Sequence, residues 1–279
     1  MVARCHHLIT LLTDFGLDDV YVGVMKGTIA RINPALNVID LSHQIPPQNI
    51  MAGRFALMNA YPFFPAGTVH LAVVDPGVGS KRRAIALQLA NGFLVGPDNG
   101  LLTGVLELLP GETVEEKIIC AVELENPTYW RTNKPSSTFH GRDLFAPVAA
   151  HLATGVDIKK LGSMIDPASL IKLSLPALQI TPHQIIGTIQ YIDHFGNLIT
   201  NIPSQYVAGK NWAVTINHSQ LINHSRLIPT GESYSNVAVG EILGLIGSHG
   251  WVEIAVHNGD AHSLLNLGVE DKVVVVFQE

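Results

Sequence analysis

Thr68-Val69-His70-Leu71-Ala72-Val73-Val74-Asp75-Pro76-Gly77-Val78-Gly79-Ser80-Lys81-Arg82-Arg83 is the stretch on which the fold turns. Residues 69–74 form a near-continuous apolar run, the pattern of a strand buried on both faces. The run ends in a carboxylate, Asp75, and breaks into a glycine turn, with Arg82 and Arg83 close behind. In an open α/β sheet, ligands bind in the crevice beyond the carboxyl ends of the strands. An Asp at that point, with an Arg near enough to hold it ionised, is a candidate catalytic group. The plainer alternative is a tight turn whose Asp satisfies backbone donors, beside two surface arginines of which only one faces inward. The stretch lacks the G-x-x-x-x-G-K-[ST] spacing of a P-loop and the helix-opening G-x-G-x-x-G of a dinucleotide site.

Working outward, residues 8–12 are an apolar run that ends in Thr13-Asp14-Phe15-Gly16, a strand and then a turn. Residues 18–32 have helical spacing, with Val20, Val24, Ile29 and Ile32 facing inward and Asp18 and Asp19 suited to the start. Residues 38–41 read as a strand and residues 49–60 as a helix capped by Asn49. Further strands fall at 83–89 and 93–95, a short helix at 101–109, and a helix at 143–153 with Asp143 at its N-cap or first turn. This order predicts an α/β domain over residues 1–181, a mainly parallel sheet flanked by helices. After residue 182 short β-type runs (185–192, 198–202, 213–216, 241–246, 252–256 and 272–277) alternate with turns. They predict a smaller all-β barrel domain over residues 182–279.

Composition narrows the function classes. Charged residues make up 14% of the 279, against roughly 25% in typical soluble domains, which suggests surface buried between subunits. The net charge of −6, with no Lys/Arg stripe, argues against a nucleic-acid partner. Cys5 and Cys120 form no disulfide framework. No apolar stretch approaches the roughly 18 residues of a membrane span, and the start lacks a signal-peptide apolar region, so a cytoplasmic protein is expected. Of the 13 histidines, His6, His7, His218, His224, His249, His257 and His262 show no H-x-x-x-H or H-E-x-x-H spacing, and no metal site is expected.

Each remaining motif has two readings. Asp14 accepts from a ribose diol, or forms an Asx-turn capping the helix that follows. Gly96-Pro97-Asp98-Asn99-Gly100 is a ligand loop, or a turn with a helix cap. In Thr138-Phe139-His140-Gly141-Arg142-Asp143, His140 is a structural histidine or a general base on a loop before a helix. Asp193-His194-Phe195-Gly196-Asn197 is a hairpin turn in which an exposed Phe195 is unexpected unless it serves as a platform for a planar base.

In this order, Thr13-Asp14-Phe15-Gly16, Val74-Asp75-Pro76-Gly77-Val78-Gly79, Gly96-Pro97-Asp98-Asn99-Gly100, Thr138-Phe139-His140-Gly141-Arg142-Asp143 and Asp193-His194-Phe195-Gly196-Asn197 closely resemble the S-adenosyl-L-methionine hydroxide adenosyltransferases. These are relatives of the fluorinase and chlorinase enzymes, and the resemblance runs from about residue 8 to the C-terminus. It implies a homotrimer whose sites lie between the N-terminal domain of one subunit and the C-terminal domain of the next. It implies hydrolysis of S-adenosyl-L-methionine to adenosine and L-methionine without a cofactor. Its catalytic set falls on Asp75, Arg82 and His140. Asp14, Phe195 and Phe139 would hold the nucleoside, and Asp193, Asn197 and Ser248 the methionine part. Gln48 and Asn258 complete the expected substrate contacts. The halide-using relatives carry Tyr at Asp75, Ser at Gly141, Trp at Gln48 and Arg at His249. The first three differences match the water-using branch; the fourth leaves the contact to the methionine carboxylate open. Either Asp75 or His140 serves as base. A halide-using adenosyltransferase and a non-catalytic adenosine or S-adenosyl-L-methionine sensor are the alternatives.

Overall fold

The computed structural model describes residues 7–173, 175–216 and 226–278. Cys5, His6, His218 and His224 lie outside them. The chain divides into two compact units, Met1–Leu173 and Ser174–Glu279.

The first unit is built on strands β1 (Leu8–Thr13), β2 (Asn37–Ser42), β3 (Thr68–Val73), β4 (Ala84–Leu89), β5 (Gly92–Pro97), β6 (Ile118–Glu123) and β7 (Ser163–Met164). With them run helices α1 (Tyr21–Ile32), α2 (Ile50–Ala60), α3 (Thr103–Leu108), α4 (Val114–Lys117) and α5 (Ala146–Ala153). The strands form one sheet in the order β2-β1-β3-β5-β4-β6-β7. The β1–β2, β1–β3 and β3–β5 pairs are parallel. The β4–β5, β4–β6 and β6–β7 pairs are antiparallel. The sheet is therefore mixed, which corrects the expectation of a mainly parallel one. The cause is local: only Ala90 and Asn91 separate β4 from β5. So short a link permits a hairpin, whereas parallel strands need a crossover of about a dozen residues or more.

Every residue of β3 is buried, as its apolar run predicts, and Asp75 emerges two residues beyond its carboxyl end. Ile9, Leu11, Val69, Leu71 and Val73 pack with Met25 and Ile29 of α1 and Val148 and Leu152 of α5. The inward face of α1 differs from the expected one. Val22, Met25 and Ile29 are buried, whereas Val20 is 73% exposed and Val24 is also exposed. The helix begins at Tyr21 with Val20 as its cap, so Asp18 and Asp19 lie outside it. Two apolar stripes overlap in this sequence, and the one with Met25 meets the sheet. α2 starts as expected, with the Asn49 side chain accepting from Ala52 N at 2.9 Å.

The second unit carries β8 (Gln179–Ile180), β9 (Gln184–Ile192), β10 (Leu198–Pro203), β11 (Trp212–Ile216), β12 (Arg226–Ile228), β13 (Ile242–Ile246), β14 (Trp251–Val256) and β15 (Lys272–Phe277), and a short helix α6 (Ala261–Leu265). Their order is β12-β11-β15-β9-β10-β14-β13, with β8 beside β9, and every strand pair is antiparallel. The two ends of this path meet. Gly244 N donates to Pro229 O at 2.8 Å and Gly231 N to Gly244 O at 3.0 Å. The sheet is thus barrel-like, around Ile185, Ile189, Leu198, Val214, Ile254, Val273 and Val275. Among the described residues, no helix is long and apolar enough to cross a membrane.

Candidate active site

Arg82 joins Asp75 to His140. Its Nε donates to Asp75 Oδ1 at 2.8 Å and Oδ2 at 3.0 Å, and its Nη2 donates to Oδ2. The same Nη2 donates its other hydrogen to His140 Nδ1 at 2.9 Å. The guanidinium lies over the Phe145 ring, 5.2 Å from the centroid. The Asp75 side chain is 6% exposed and that of Arg82 9%, so the pair is shielded from water. A guanidinium has no acceptor and keeps its protons. The Nδ1 of His140 must therefore be bare, and the proton of the neutral ring sits on Nε2. Burial, and then the charge of Arg82, hold the His140 pKa below its ordinary value, against the opposite pull of Asp75 and Asp143. The result is one carboxylate, one guanidinium and one neutral imidazole with a fixed tautomer.

Two loops bring these groups together. The turn after β3 closes with Val78 N donating to Asp75 O at 3.2 Å. Gly79 has φ +76°, and a Cβ there would lie 2.4 Å from the Ser137 carbonyl oxygen, so only glycine lets this turn pass the loop that carries His140. His140 caps a single π-helical turn, Gly141–Phe145, that leads into α5. Such π-turns recur at functional sites. The Asp143 carboxylate, expected to cap a helix, is instead fully buried in this turn. It accepts from Arg131, from Arg142 Nε at 2.6 Å and Nη2 at 2.8 Å, and from Ser136 N at 2.8 Å. Burial would raise its pKa, but these bonds outweigh burial and hold it well below the usual carboxylate range.

Arg83 is engaged too, contrary to the expectation that only one of the two arginines faces inward. Its Nε donates to the buried Asp98 at 2.9 Å, and its Nη1 to Ser169 Oγ at 2.9 Å. Asp98 thus serves as an anchor, which also accepts from Ile171 N at 3.0 Å.

Asp14 does not cap α1. Its Oδ2 accepts from Gln48 N at 2.7 Å, and Gln48 adopts φ 65°, a left-handed conformation that costs free energy for a residue with a Cβ. Phe139 packs edge-on against Phe15 (5.8 Å) and Tyr21 (5.2 Å), and the Arg142 guanidinium lies 5.1 Å from its ring centre. A Cβ on Gly141 would lie 3.2–3.3 Å from Met25, Phe139 and Phe15, so the absence of a side chain keeps these rings close.

In the second unit, Phe195, Asn197, Tyr234, Asn258 and Asp260 line a cavity of about 520 Å³. Phe195 is 70% exposed. Asp193 shapes the turn beneath it, accepting from Phe195 N and Asn197 N, both at 2.9 Å, and from Asn197 Nδ2 at 2.9 Å. Asn258, like Gln48, is left-handed, with φ 54°. Ser248 is exposed in the turn between β13 and β14. His249 faces the protein: its Nε2 lies 3.0 Å from Glu253 Oε2, and its Nδ1 accepts from Trp251 N at 3.2 Å. Sequence reasoning missed Tyr234 and Glu253. The Tyr234 hydroxyl donates to the buried Glu253 at 2.9 Å, and burial together with that bond pushes its pKa up to about 12. The one available signal was a glutamate inside the apolar run of β14.

Among the described residues, no three His, Cys, Asp or Glu side chains gather as a metal site would require.

Comparison with known proteins agrees along the chain. The model of the SAM hydroxide adenosyltransferase N-terminal domain matches residues 9–162, and that of the C-terminal domain matches residues 187–274. A (R)-S-adenosyl-L-methionine hydrolase of Salinispora tropica is 39% identical over 267 residues, 96% of this chain and 97% of that protein. A fluorinase of Actinoplanes sp. is 29% identical over 227 residues, 72% of this chain and 74% of its own. A crystal structure of an uncharacterized conserved protein from Thermotoga maritima superposes with a TM-score of 0.85 at 35% identity, covering 96% of this chain and 99% of that one.

Proposed function

The chain belongs to the SAM hydroxide adenosyltransferase family, and on that premise we propose that it is a hydrolase converting S-adenosyl-L-methionine to adenosine and L-methionine. The relatives' names specify the R configuration at sulfur, and we extend that preference to this chain. Water attacks C5′ in line with the sulfonium. The C5′–S bond breaks, its electron pair stays on sulfur, and methionine departs as a neutral thioether that needs no general acid. What the reaction lacks is a competent nucleophile and a place for the proton of the attacking water.

The observation that carries this reading is the single guanidinium that binds Asp75 and His140 at once. With Nδ1 of His140 occupied and Nε2 protonated, the imidazole is a donor and holds the water through the water's second lone pair. Asp75 is the only anion of the three and takes the proton, with oxygen lone pairs left beyond those Arg82 occupies. Base catalysis of this kind contributes about 10²–10⁴-fold, and alignment of water, C5′ and sulfur contributes more. A carboxylate at this position also disfavours an attacking halide by like-charge repulsion.

Asp14, Gln48 and Phe139 in the first unit, and Asp193, Phe195, Asn197, Ser248 and Asn258 in the second, are the proposed substrate contacts. No cofactor is needed, because the leaving group is already cationic in the substrate. The low charged fraction and the family resemblance support a homotrimer, and the substrate supports a cytoplasmic location.

The test is incubation with the separate R and S sulfonium epimers in ¹⁸O-water, with and without halide. Adenosine carrying ¹⁸O at its 5′-hydroxyl, with unlabelled methionine, is expected from the R epimer. A 5′-halo-nucleoside would identify a halide-using enzyme. Tightly bound but intact substrate would identify a sensor.

A further inference from the structure

We infer that His43 is a positioning residue for the Asp14 loop, acting through Thr13; this rests on the reading of Asp14 as a substrate-binding carboxylate. His43 lies between β2 and α2, outside every motif that carries the family resemblance, and is buried. It grips the loop after β1 at two points. Its carbonyl oxygen accepts from Gly16 N at 2.8 Å, and its Nδ1 lies 2.8 Å from Thr13 Oγ1. Asp14 sits between those two points.

The proton positions follow from the bonds. His43 Nε2 lies 3.0 Å from Asp40 Oδ1, a carboxylate oxygen that can only accept, so the proton of the neutral ring sits on Nε2. Off the N–H axis though that contact is, it leaves Nδ1 to accept from Thr13 Oγ1, whose oxygen in turn accepts from Phe15 N at 3.2 Å. Asp40 is held in turn by Lys26 Nζ at 2.6 Å. A chain of polar groups thus runs from the surface pair Lys26–Asp40 through a buried imidazole to the hydroxyl that fixes the Phe15 amide. The loop end so fixed presents Asp14, whose Oδ2 already accepts from Gln48 N, and Phe15, which packs on Phe139 beside His140. None of these groups touches the reacting atoms. Their effect is to hold one carboxylate where a ribose diol meets it, and small displacements of such groups are costly.

The two nitrogens of His43 can be tested separately, because an Asn side chain overlays the Nδ1 position and a Gln side chain the Nε2 position. The variants His43→Asn, His43→Gln, Thr13→Val and Thr13→Ser are compared with Asp14→Ala by steady-state kinetics on S-adenosyl-L-methionine and by thermal unfolding. His43→Gln and Thr13→Val are expected to raise KM about tenfold, the scale of one lost buried hydrogen bond, with kcat within about threefold. His43→Asn and Thr13→Ser, which keep the bond to the loop, are expected to retain KM within about threefold. Equal losses in His43→Asn and His43→Gln, or an unchanged KM in Thr13→Val, would overturn the inference and leave His43 a packing residue. If His43→Gln does not fold, the Thr13 pair decides alone. An unchanged KM in Asp14→Ala would instead refute the assignment of Asp14 on which the inference rests.

Discussion

Replacing Arg82 by Lys keeps the charge and removes the fork. In the structure, Arg82 makes three contacts to the Asp75 oxygens and gives a remaining hydrogen to His140 Nδ1. A lysine offers one nitrogen on a flexible stem. It can satisfy Asp75 or His140, but it cannot hold both in one plane or lie flat on Phe145. Hydrogen bonds to charged groups each contribute about 1.5–3 kcal/mol. Losing one to Asp75 and the one to His140 therefore removes about 3–6 kcal/mol of preorganisation. Losses of this size appear in the rate, as removal of a single preorganised donor elsewhere costs about 10²–10³ in kcat. The expectation for Arg82→Lys is a fall of that size in kcat, with KM within about threefold, because the substrate itself is not gripped by Arg82. Stability falls by about 2 kcal/mol from the partly unsatisfied buried carboxylate, which in a chain of this size lowers Tm by about 4–8 °C. The assay is the initial rate of adenosine release at saturating substrate, paired with a thermal melt. A variant with the expected drop in Tm but kcat within fivefold of the parent would refute the argument, since the fork would then serve the fold alone.

Three further outcomes follow from other parts of the molecule. Burial holds His70 at a pKa of about 4 against an ordinary 6.5. The unfolded chain therefore takes up that proton first as pH falls, and stability that is complete above pH 6.5 is lost on the way down to 4, by about 3 kcal/mol. Urea midpoints measured across that window should fall with pH, and His70→Leu should flatten the slope; an unchanged slope would contradict the assignment. Phe195→Ala removes an exposed ring from the cavity wall, so KM should rise by about tenfold, the lower end of base-stacking energies, while Tm stays within about 1 °C. Gly196 has φ +80°, and a Cβ there would lie 2.0 Å from Asp260 Oδ1. Gly196→Ala should therefore cost about 2 kcal/mol or more in stability and raise KM, because the same turn carries Phe195 and Asn197; an unaltered melt would show that the loop relaxes freely.

The parts legible in the sequence were those set by local chemistry. The apolar run of β3 announced a doubly buried strand, Asn49 announced its helix, and the turn motifs announced the loops that bear Asp75, His140 and Phe195. What stayed hidden depended on partners distant in the chain. The expected inward face of α1 missed because two apolar stripes overlap, and only packing chooses Met25 over Val24. Strand runs carry no direction, so the expected sheet is mainly parallel; the brief Ala90-Asn91 link is the clue to the antiparallel hairpin. Asp143 resembled a helix cap because Arg131, which binds it, lies twelve residues upstream with no periodic relation to it. Glu253 was invisible as a site residue because the Tyr234 hydroxyl that meets it comes from the connection between β12 and β13.

The meeting of the strand path's two ends at Thr230 and Gly244 also limits strand pairing between copies of this chain. An open sheet leaves a row of unpaired amides and carbonyls that another strand can extend, in order or in aggregates. Here those groups are largely spent within the second unit. The first unit's sheet ends on one side in β7, two residues long, which offers little template, and on the other in β2, six residues long with none of them buried. Strand addition is therefore discouraged in the second unit and at β7, and β2 is the long edge of the first unit's sheet that another strand could extend. Backbone-driven clumping, where it occurs, should therefore start at β2 and not in the barrel-like sheet.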